Sequence, residues 1–190
     1  MLNKFHSQLH NHMRFFSAFL KYPRIIGSVA PSSSFLTNEM FKFVNWHKTN
    51  TIVELGAGTG VFTERINTCK SSQCTAMIFE FDNHLRGNLQ DRFKELFFYS
   101  NAKLLMTTLK QNNISSVDVI ISGLPFTNFS NQETSEILYN VHQTLRSGGL
   151  FVAFQYYPTI YTQLNQVFNQ VTMSHIKLNF PPAFVYTCYK

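Results

Sequence analysis

Two carboxylates and a run of glycines carry the most chemistry in this chain. Glu54 stands two residues before Gly56, and Ala57, Gly58, Thr59 and Gly60 complete the segment. An apolar pair, Ile52-Val53, leads in, and a segment able to form a helix leads out. This reads as a strand, a tight turn and a helix start. Glycine lets the backbone turn sharply and approach a ligand where any Cβ would collide. The turn does not fit a phosphate loop, which needs Lys-Ser/Thr after its last glycine, because Val61-Phe62 follow Gly60. It also departs from the dinucleotide spacing G-x-G-x-x-G, and Glu54 would crowd the negative charges of a pyrophosphate. A second carboxylate, Glu80, closes the run Thr75-Ala-Met-Ile-Phe, twenty positions after Gly60. In a nucleotide-binding βαβ unit, an acidic residue there accepts hydrogen bonds from both ribose hydroxyls.

These groups need a frame, and alternating elements supply it. Strands are expected over 51–55, 75–80, Lys103–Met106, Val117–Ile121 and Leu150–Phe154. The near-continuous apolar run of the fourth suits a parallel strand covered on both faces. Helices are expected between them. The helix over 60–68 follows the glycine turn, and the helix over 83–97 aligns Leu85, Leu89, Phe93, Leu96 and Phe97. The helix over 131–145 stops at Ser147-Gly148-Gly149, and another lies near 159–169. Ser174–Leu178 and Phe184–Tyr189, on either side of Pro181-Pro182, read as a C-terminal antiparallel hairpin. The alternation predicts an α/β fold with a doubly wound, mostly parallel sheet. Its ligand should lie outside the carboxyl ends of the strands.

Helices precede this core. Phe5, Leu9, Met13, Phe16 and Leu20 recur at helical spacing over 3–22, opposite Lys4, His6, Asn11 and Arg14, and Tyr22-Pro23 stops the run. Ser32-Ser33-Ser34 reads as a cap for a second helix reaching about Trp46, with Phe35, Leu36, Met40, Phe43 and Val44 inward. The expected division is 1–48 for the helical, cofactor-covering segment and 49–190 for the core, within a single folding unit. The net charge is +6, and Lys4, Arg14, Lys21 and Arg24 all precede the first acidic residue, Glu39. A basic arm of this kind favours a polyanion, either a membrane surface or a nucleic acid. His6, His10 and His12 read as a polar helix face, so no metal is expected. Cys69, Cys74 and Cys188 form no C-x-x-C pair, which fits a reducing cytoplasm. No apolar run reaches the roughly 18 residues of a membrane span, and no signal peptide is expected.

Over about residues 50–190 the chain resembles class I S-adenosylmethionine-dependent methyltransferases with their Rossmann-like sheet. Glu54-Leu-Gly-Ala-Gly-Thr-Gly60, the strand end at Glu80 and Leu145-Arg-Ser-Gly-Gly149 carry that resemblance. A narrower one spans nearly the whole chain. Phe19-Leu-Lys-Tyr-Pro-Arg-Ile-Ile-Gly-Ser-Val-Ala-Pro-Ser-Ser33, Glu54–Thr63 and Ser122-Gly-Leu-Pro-Phe126 are similar to the bacterial phospholipid N-methyltransferases, relatives of the rRNA adenine dimethylases. The resemblance implies S-adenosylmethionine as cofactor and S-adenosylhomocysteine as product. It implies methylation of phosphatidylethanolamine toward phosphatidylcholine, with an rRNA adenine N6-methyltransferase or a small-molecule methyltransferase as the alternative. A Glu at position 54 suits the cationic amino group and the sulfonium of such a cofactor.

On these grounds Glu54, Gly56, Ala57, Gly58 and Gly60 should surround the methionine part, and Glu80 the ribose. Thr107 or Thr108 stands where the family often has an acidic adenine contact. Ser122, Gly123, Leu124 and Pro125 should form the rim beside the methyl group. Adenine methylases usually carry Asn or Asp where Ser122-Gly123 stands here, which weighs against a nucleobase acceptor. Phe126, Tyr156 and Tyr157 are candidates for the acceptor pocket, where aromatic faces would attract a methylated ammonium. Ser32 and Ser33 are candidates for a loop over the cofactor. Ser122 and Tyr157 are the candidate catalytic side chains. The expected location is cytoplasmic, peripheral to the inner face of the membrane, with Lys4–Tyr22 on an anionic surface. Each cation there is worth roughly 1 kcal/mol.

Overall fold

The computed structural model describes residues 29–190, with side chains described from Ser34 onward. The expected helix over 3–22, its cations and His6, His10 and His12 lie outside the described residues. So do the side chains of Ser32 and Ser33.

Seven strands form one sheet: β1 (Thr51–Leu55), β2 (Thr75–Phe79), β3 (Phe97–Tyr99), β4 (Val117–Ser122), β5 (Leu145–Gln155), β6 (Gln170–Ile176) and β7 (Ala183–Tyr189). Their order is β3-β2-β1-β4-β5-β7-β6. The pairs from β3 through β5 are parallel, and β7 runs antiparallel to both β5 and β6. Side chains alternate across the sheet, so each central strand feeds two cores. Ile52, Ile78, Ile121 and Val152 face one core, with α1 (Val29–Phe41), α2 (Val61–Cys69) and α3 (Asn83–Arg92). Val53, Phe79, Ile120 and Phe151 face the other, with α4 (Leu105–Gln111), α5 (Asn131–Thr144) and α6 (Tyr161–Val167). The expected doubly wound α/β fold with a C-terminal hairpin is therefore present.

Local chemistry sets several boundaries. Asp82 caps α3, accepting from the backbone N–H of His84 and of Leu85, each at 2.9 Å. Ser130 and Glu133 form a reciprocal capping box at the start of α5.

Five expectations need correction. Lys103–Met106 is not the third strand. Asn101 accepts from the Lys103 N–H at 3.0 Å and starts a 3-10 turn that runs into α4, where Leu105, Thr108 and Leu109 are buried at helical spacing. A short apolar run has no period of its own, so it fits either element. The third strand is Phe97–Tyr99, and the helix expected over 83–97 ends at Arg92 so that the chain can return to the edge of β2. Phe97 is accordingly 53% exposed instead of packed on a helix face, and Leu85 is only half-buried. The helix after 131 ends at Thr144, and Gly148-Gly149 belongs to an irregular entry into β5, with Gly148 at φ +67°. Finally, α1 starts at Val29, so the serine run lies inside it instead of capping it. It ends at Phe41, leaving Phe35 and Phe43 exposed while Leu36, Met40 and Val44 are buried.

Candidate functional site

The strand order reverses between β1 and β4, and the carboxyl ends of these neighbours open the crevice where ligands of such sheets lie. Leu55 ends β1 and Ser122 ends β4, directly opposite in register. Just beyond them two backbone segments nearly touch. Gly123 N–H donates to the Leu55 carbonyl at 2.8 Å. A Cβ on Gly123 would stand 2.7 Å from the Gly56 carbonyl oxygen, so only glycine fits. The turn itself needs left-handed backbone at Gly56 (φ +78°), Gly58 (φ +56°) and Gly60 (φ +88°). Its first N–H groups, of Gly56 and Ala57, donate to the Phe79 carbonyl at 2.8 and 3.2 Å. Arg92 of α3 holds the outer side, donating to the Thr59 carbonyl at 3.0 Å.

Glu54 is fully buried at the end of β1. Thr63, in the first turn of α2 and equally buried, donates its hydroxyl to Glu54 Oε2 at 2.6 Å. Glu54 Oε1 is buried with no hydrogen-bond partner. Burial pushes this carboxyl up to about 8, the Thr63 bond pulls it down, and the nearby Glu80 charge adds to the rise. An acid left this way can accept a cation. A positive ligand group beside Oε1 would both satisfy the oxygen and return the carboxyl to its charged form.

Glu80 follows β2 directly. Its Oε2 accepts from Gly58 N–H at 2.7 Å and its Oε1 from Asp82 N–H at 2.8 Å. These two bonds fix the carboxylate plane against the glycine turn. Each oxygen keeps a second lone pair, enough for a pair of vicinal hydroxyls.

The other expected residues divide. Ser122 is buried, and its hydroxyl oxygen accepts from Leu124 N–H at 3.3 Å. Ser122, Gly123, Leu124 and Pro125 lie together at the mouth of the crevice. Tyr156 leaves β5 on the same side, packed edge-on against Phe154 with ring centroids 5.6 Å apart. Burial pushes its phenol up to about 12, so it stays protonated. Tyr157 is 52% exposed beside it.

Two expectations move away from the crevice. Thr107 and Thr108 lie on α4, not after a strand, with Thr107 exposed and Thr108 buried among the helix contacts. The segment that does follow the third strand is Ser100-Asn101. Phe126 is 3% exposed and belongs to the core beneath α4 to α6, edge-on to Phe129. It supports the mouth from below instead of presenting a face.

Some contributors gave no signal in the sequence. Thr63 becomes a partner of Glu54 only because α2 turns back over β1. Gln155 is 4% exposed, and its Nε2 donates to the Leu124 carbonyl at 2.8 Å, tying β5 to the Ser122–Pro125 segment. A polar residue closing the apolar run of β5 was its only trace. Phe154 stands 3.7 Å from where a Gly123 Cβ would be, forming the wall beside that glycine.

The crevice therefore brings together a buried carboxyl with one oxygen lacking a hydrogen-bond partner, at Glu54, and a carboxylate fixed against the glycine turn, at Glu80. Known proteins share this architecture. The chain is 30% identical over 179 residues to the ornithine lipid N-methyltransferase of Singulisphaera acidiphila, covering 92% of this chain and 93% of that protein. No protein-family model matches it. Among solved structures, the N-methyltransferase NodS of Bradyrhizobium japonicum WM9 superposes with a TM-score of 0.70 at 13% identity. That match covers 85% of this chain and 97% of NodS. The 1,6-didemethyltoxoflavin-N1-methyltransferase of Burkholderia thailandensis, solved with S-adenosylhomocysteine, gives 0.64 at 13% identity over 99% of this chain and 89% of that one. At such identities these two structures speak to the fold alone.

Proposed function

The chain belongs to the S-adenosylmethionine-dependent methyltransferases, in the family of the ornithine lipid N-methyltransferase, and we propose that it methylates the primary amine of a membrane lipid headgroup. Phosphatidylethanolamine, on the way to phosphatidylcholine, is the acceptor we favour. One observation carries the choice of nitrogen. The acceptor side of the crevice, Ser122–Pro125 and Phe154–Tyr157, contains no carboxylate and no imidazole. An alcohol or carbon acceptor needs a base to expose its lone pair. An amine needs only to be neutral, and a poorly hydrated site favours that form.

The residues present fit the cofactor. Glu54 Oε1 would receive its ammonium, Glu80 its ribose hydroxyls, and the Gly56–Gly60 backbone its chain at close approach. When bound, S-adenosylmethionine supplies a methyl group activated by a sulfonium. The chain's part is to hold the acceptor in line and keep water out, which can contribute much of the acceleration. Ser122 to Pro125 set the rim. Phe154 and Tyr156 line it with aromatic faces that favour a cationic nitrogen as methyl groups accumulate. Tyr156, protonated at neutral pH, can donate a hydrogen bond but cannot act as base.

An ornithine lipid amine is the second reading, and the relative from Singulisphaera acidiphila favours it. A nucleobase acceptor is disfavoured by Ser122-Gly123 standing in place of Asn or Asp. The enzyme would work from the cytoplasm as a peripheral membrane protein. Among the described residues no helix is long and apolar enough to cross a membrane.

The test is expression in a host that makes phosphatidylethanolamine and ornithine lipids but methylates neither, followed by lipid mass spectrometry. Methylated phosphatidylethanolamine is the expected result. Methylation confined to ornithine lipid would replace the acceptor. No methyl label in any lipid, from protein that binds S-adenosylmethionine, would remove the lipid reading altogether.

A further inference from the structure

Large apolar side chains exposed on this surface are unevenly placed. Phe81 is 81% exposed, Leu178 68% and Phe180 65%, more than any other large hydrophobic residue described. Phe81 follows β2 at its carboxyl end. Leu178 and Phe180 occupy the turn between β6 and β7. Because β7 is antiparallel to β5, with Phe184 opposite Gln155, that turn lies at the same end of the sheet. Tyr157, 52% exposed, follows β5 there too. The four side chains thus bracket the switch point between β1 and β4, on the rim that holds Glu54, Glu80 and Ser122.

The turn is built to present them. Asn179, between Leu178 and Phe180, is 5% exposed. Its N–H donates to the Ile176 carbonyl at 3.2 Å and its Nδ2 to the Pro181 carbonyl at 2.7 Å. With Asn179 pinned inward, its two apolar neighbours point out. Lys177 precedes them, exposed, in a chain of net charge +6.

We propose that this rim is a membrane-docking surface, with Leu178 and Phe180 entering the lipid interface, Lys177 meeting anionic headgroups, Tyr157 beside them at the end of β5, and Phe81 seated on the far side of the crevice. The inference rests on the lipid reading above and adds which face meets the bilayer. Isolated apolar tips on separate turns around a mouth suit a fluid interface, where each inserts independently. A helix-in-groove partner would need a continuous apolar trough instead. The docked orientation also solves a substrate problem. Acyl chains stay in the bilayer while the headgroup amine rises the short distance to Ser122–Pro125. Basic residues beside inserted apolar ones are the ordinary composition of a reversible interfacial anchor.

The experiment compares the full chain with a Leu178→Asp/Phe180→Asp variant and a milder Leu178→Ser/Phe180→Ser variant. Vesicles are phosphatidylethanolamine with an anionic phospholipid. Readouts are vesicle co-sedimentation, S-adenosylmethionine affinity, and methylation of vesicular against water-soluble short-chain phosphatidylethanolamine. Both variants should bind cofactor within about twofold of wild type. Co-sedimentation and vesicular turnover should fall about tenfold or more for the aspartates and less for the serines. Turnover of the short-chain lipid should hold. Vesicle binding equal to wild type, or an equal loss on both lipid forms, overturns the docking surface. So does a dimer in the wild type that the variants abolish, since the rim would then be a self-association face. If no protein methylates either lipid form yet the wild type alone binds vesicles, the docking surface stands and the acceptor reading fails.

Discussion

At the amino ends of the parallel strands, Asp118 is held from three sides. Its Oδ2 accepts from the N–H groups of Asn50 and Thr51 at 2.8 and 3.0 Å, and Arg146 Nε donates to its Oδ1 at 2.5 Å. Nearby, Lys190 donates to the Leu145 carbonyl at 2.7 Å, and its backbone pairs with Gly148 and Gly149. At the carboxyl ends, Glu54 is more deeply buried than Asp118 yet has an oxygen without a partner. The two carboxyls respond in opposite directions. Burial alone would raise Asp118, but the bonds from Arg146, Thr51 and Asn50 outweigh it and hold that carboxyl below its ordinary range. Nothing comparable offsets the burial of Glu54. One end of the sheet has its polar groups matched within the chain. The other leaves Glu54 Oε1 without a hydrogen-bond partner and carries exposed aromatic and aliphatic tips on its rim.

That contrast can be broken by experiment, and the widest separation should come from two glycines. A Cβ on Gly123 would meet the Gly56 carbonyl at 2.7 Å, and one on Gly149 would meet the Arg146 carbonyl at 2.8 Å. Gly123→Ala and Gly149→Ala should each cost about 1–3 kcal/mol of stability by denaturant unfolding. Only Gly123→Ala should also abolish detectable S-adenosylmethionine binding in calorimetry. If Gly149→Ala weakens binding as much, the two ends are not functionally distinct.

Next in size, Glu80→Ala should lower cofactor affinity roughly 10- to 100-fold, the worth of a charge-assisted pair of hydrogen bonds. Asp118→Asn should leave that affinity unchanged and lower the melting temperature instead. An unchanged affinity in Glu80→Ala would mean that the ribose lies elsewhere.

The pH response should differ in sign at the two ends. The folded value of Glu54, about 8, lies above its ordinary 4.5, so the native protein keeps a proton that the unfolded chain loses. Its contribution to stability is complete below about 4.5 and is lost as pH rises through about 8. For Asp118 the folded value is lowered, so its contribution is present above the ordinary 3.8 and lost as pH falls through the folded value. Melting curves of the cofactor-free protein should therefore slope downward from acid to mildly alkaline pH. Glu54→Gln should flatten that slope, and a slope that survives would assign it to other groups.

The smallest effect is a control. Gly87 sits in the middle of α3, and a Cβ added to it would meet nothing within 4 Å. Gly87→Ala should stabilise by about 0.5–1 kcal/mol and leave binding untouched.

Much of the fold was readable along the chain because burial on both faces writes long apolar runs. Ile52-Val53, Thr75–Phe79, Val117–Ile121 and Leu150–Phe154 all became strands where expected. The failure at Lys103–Met106 has a physical cause. Leu104-Leu105-Met106 fits a strand or a helix equally, and the choice fell to the Asn101 cap and to burial of Leu105 and Leu109 against the neighbouring core. Gly148-Gly149 looked like a helix stop because such glycines often are. In the folded chain they meet Lys190, more than forty residues on, and serve an irregular strand entry instead.

The site divides along the same line. Glu54, Gly56, Gly58, Gly60 and Glu80 are close enough in sequence for spacing alone to name a cradle and its two carboxylates. Backbone stereochemistry acts locally, and glycine is legible wherever a chain must turn left-handed. Thr63 against Glu54, Gly123 against the Gly56 carbonyl, and Gln155 holding Leu124 are contacts between separate elements. The apolar rim of Phe81, Tyr157, Leu178 and Phe180 likewise exists only once the strands are ordered. Residue types and local spacing determined where the glycine turn and its two carboxylates fall along the chain. Only the tertiary structure decided which carboxyl is a buried acid and which surface stays bare, because desolvation and exposure depend on neighbours that the chain brings together from a distance.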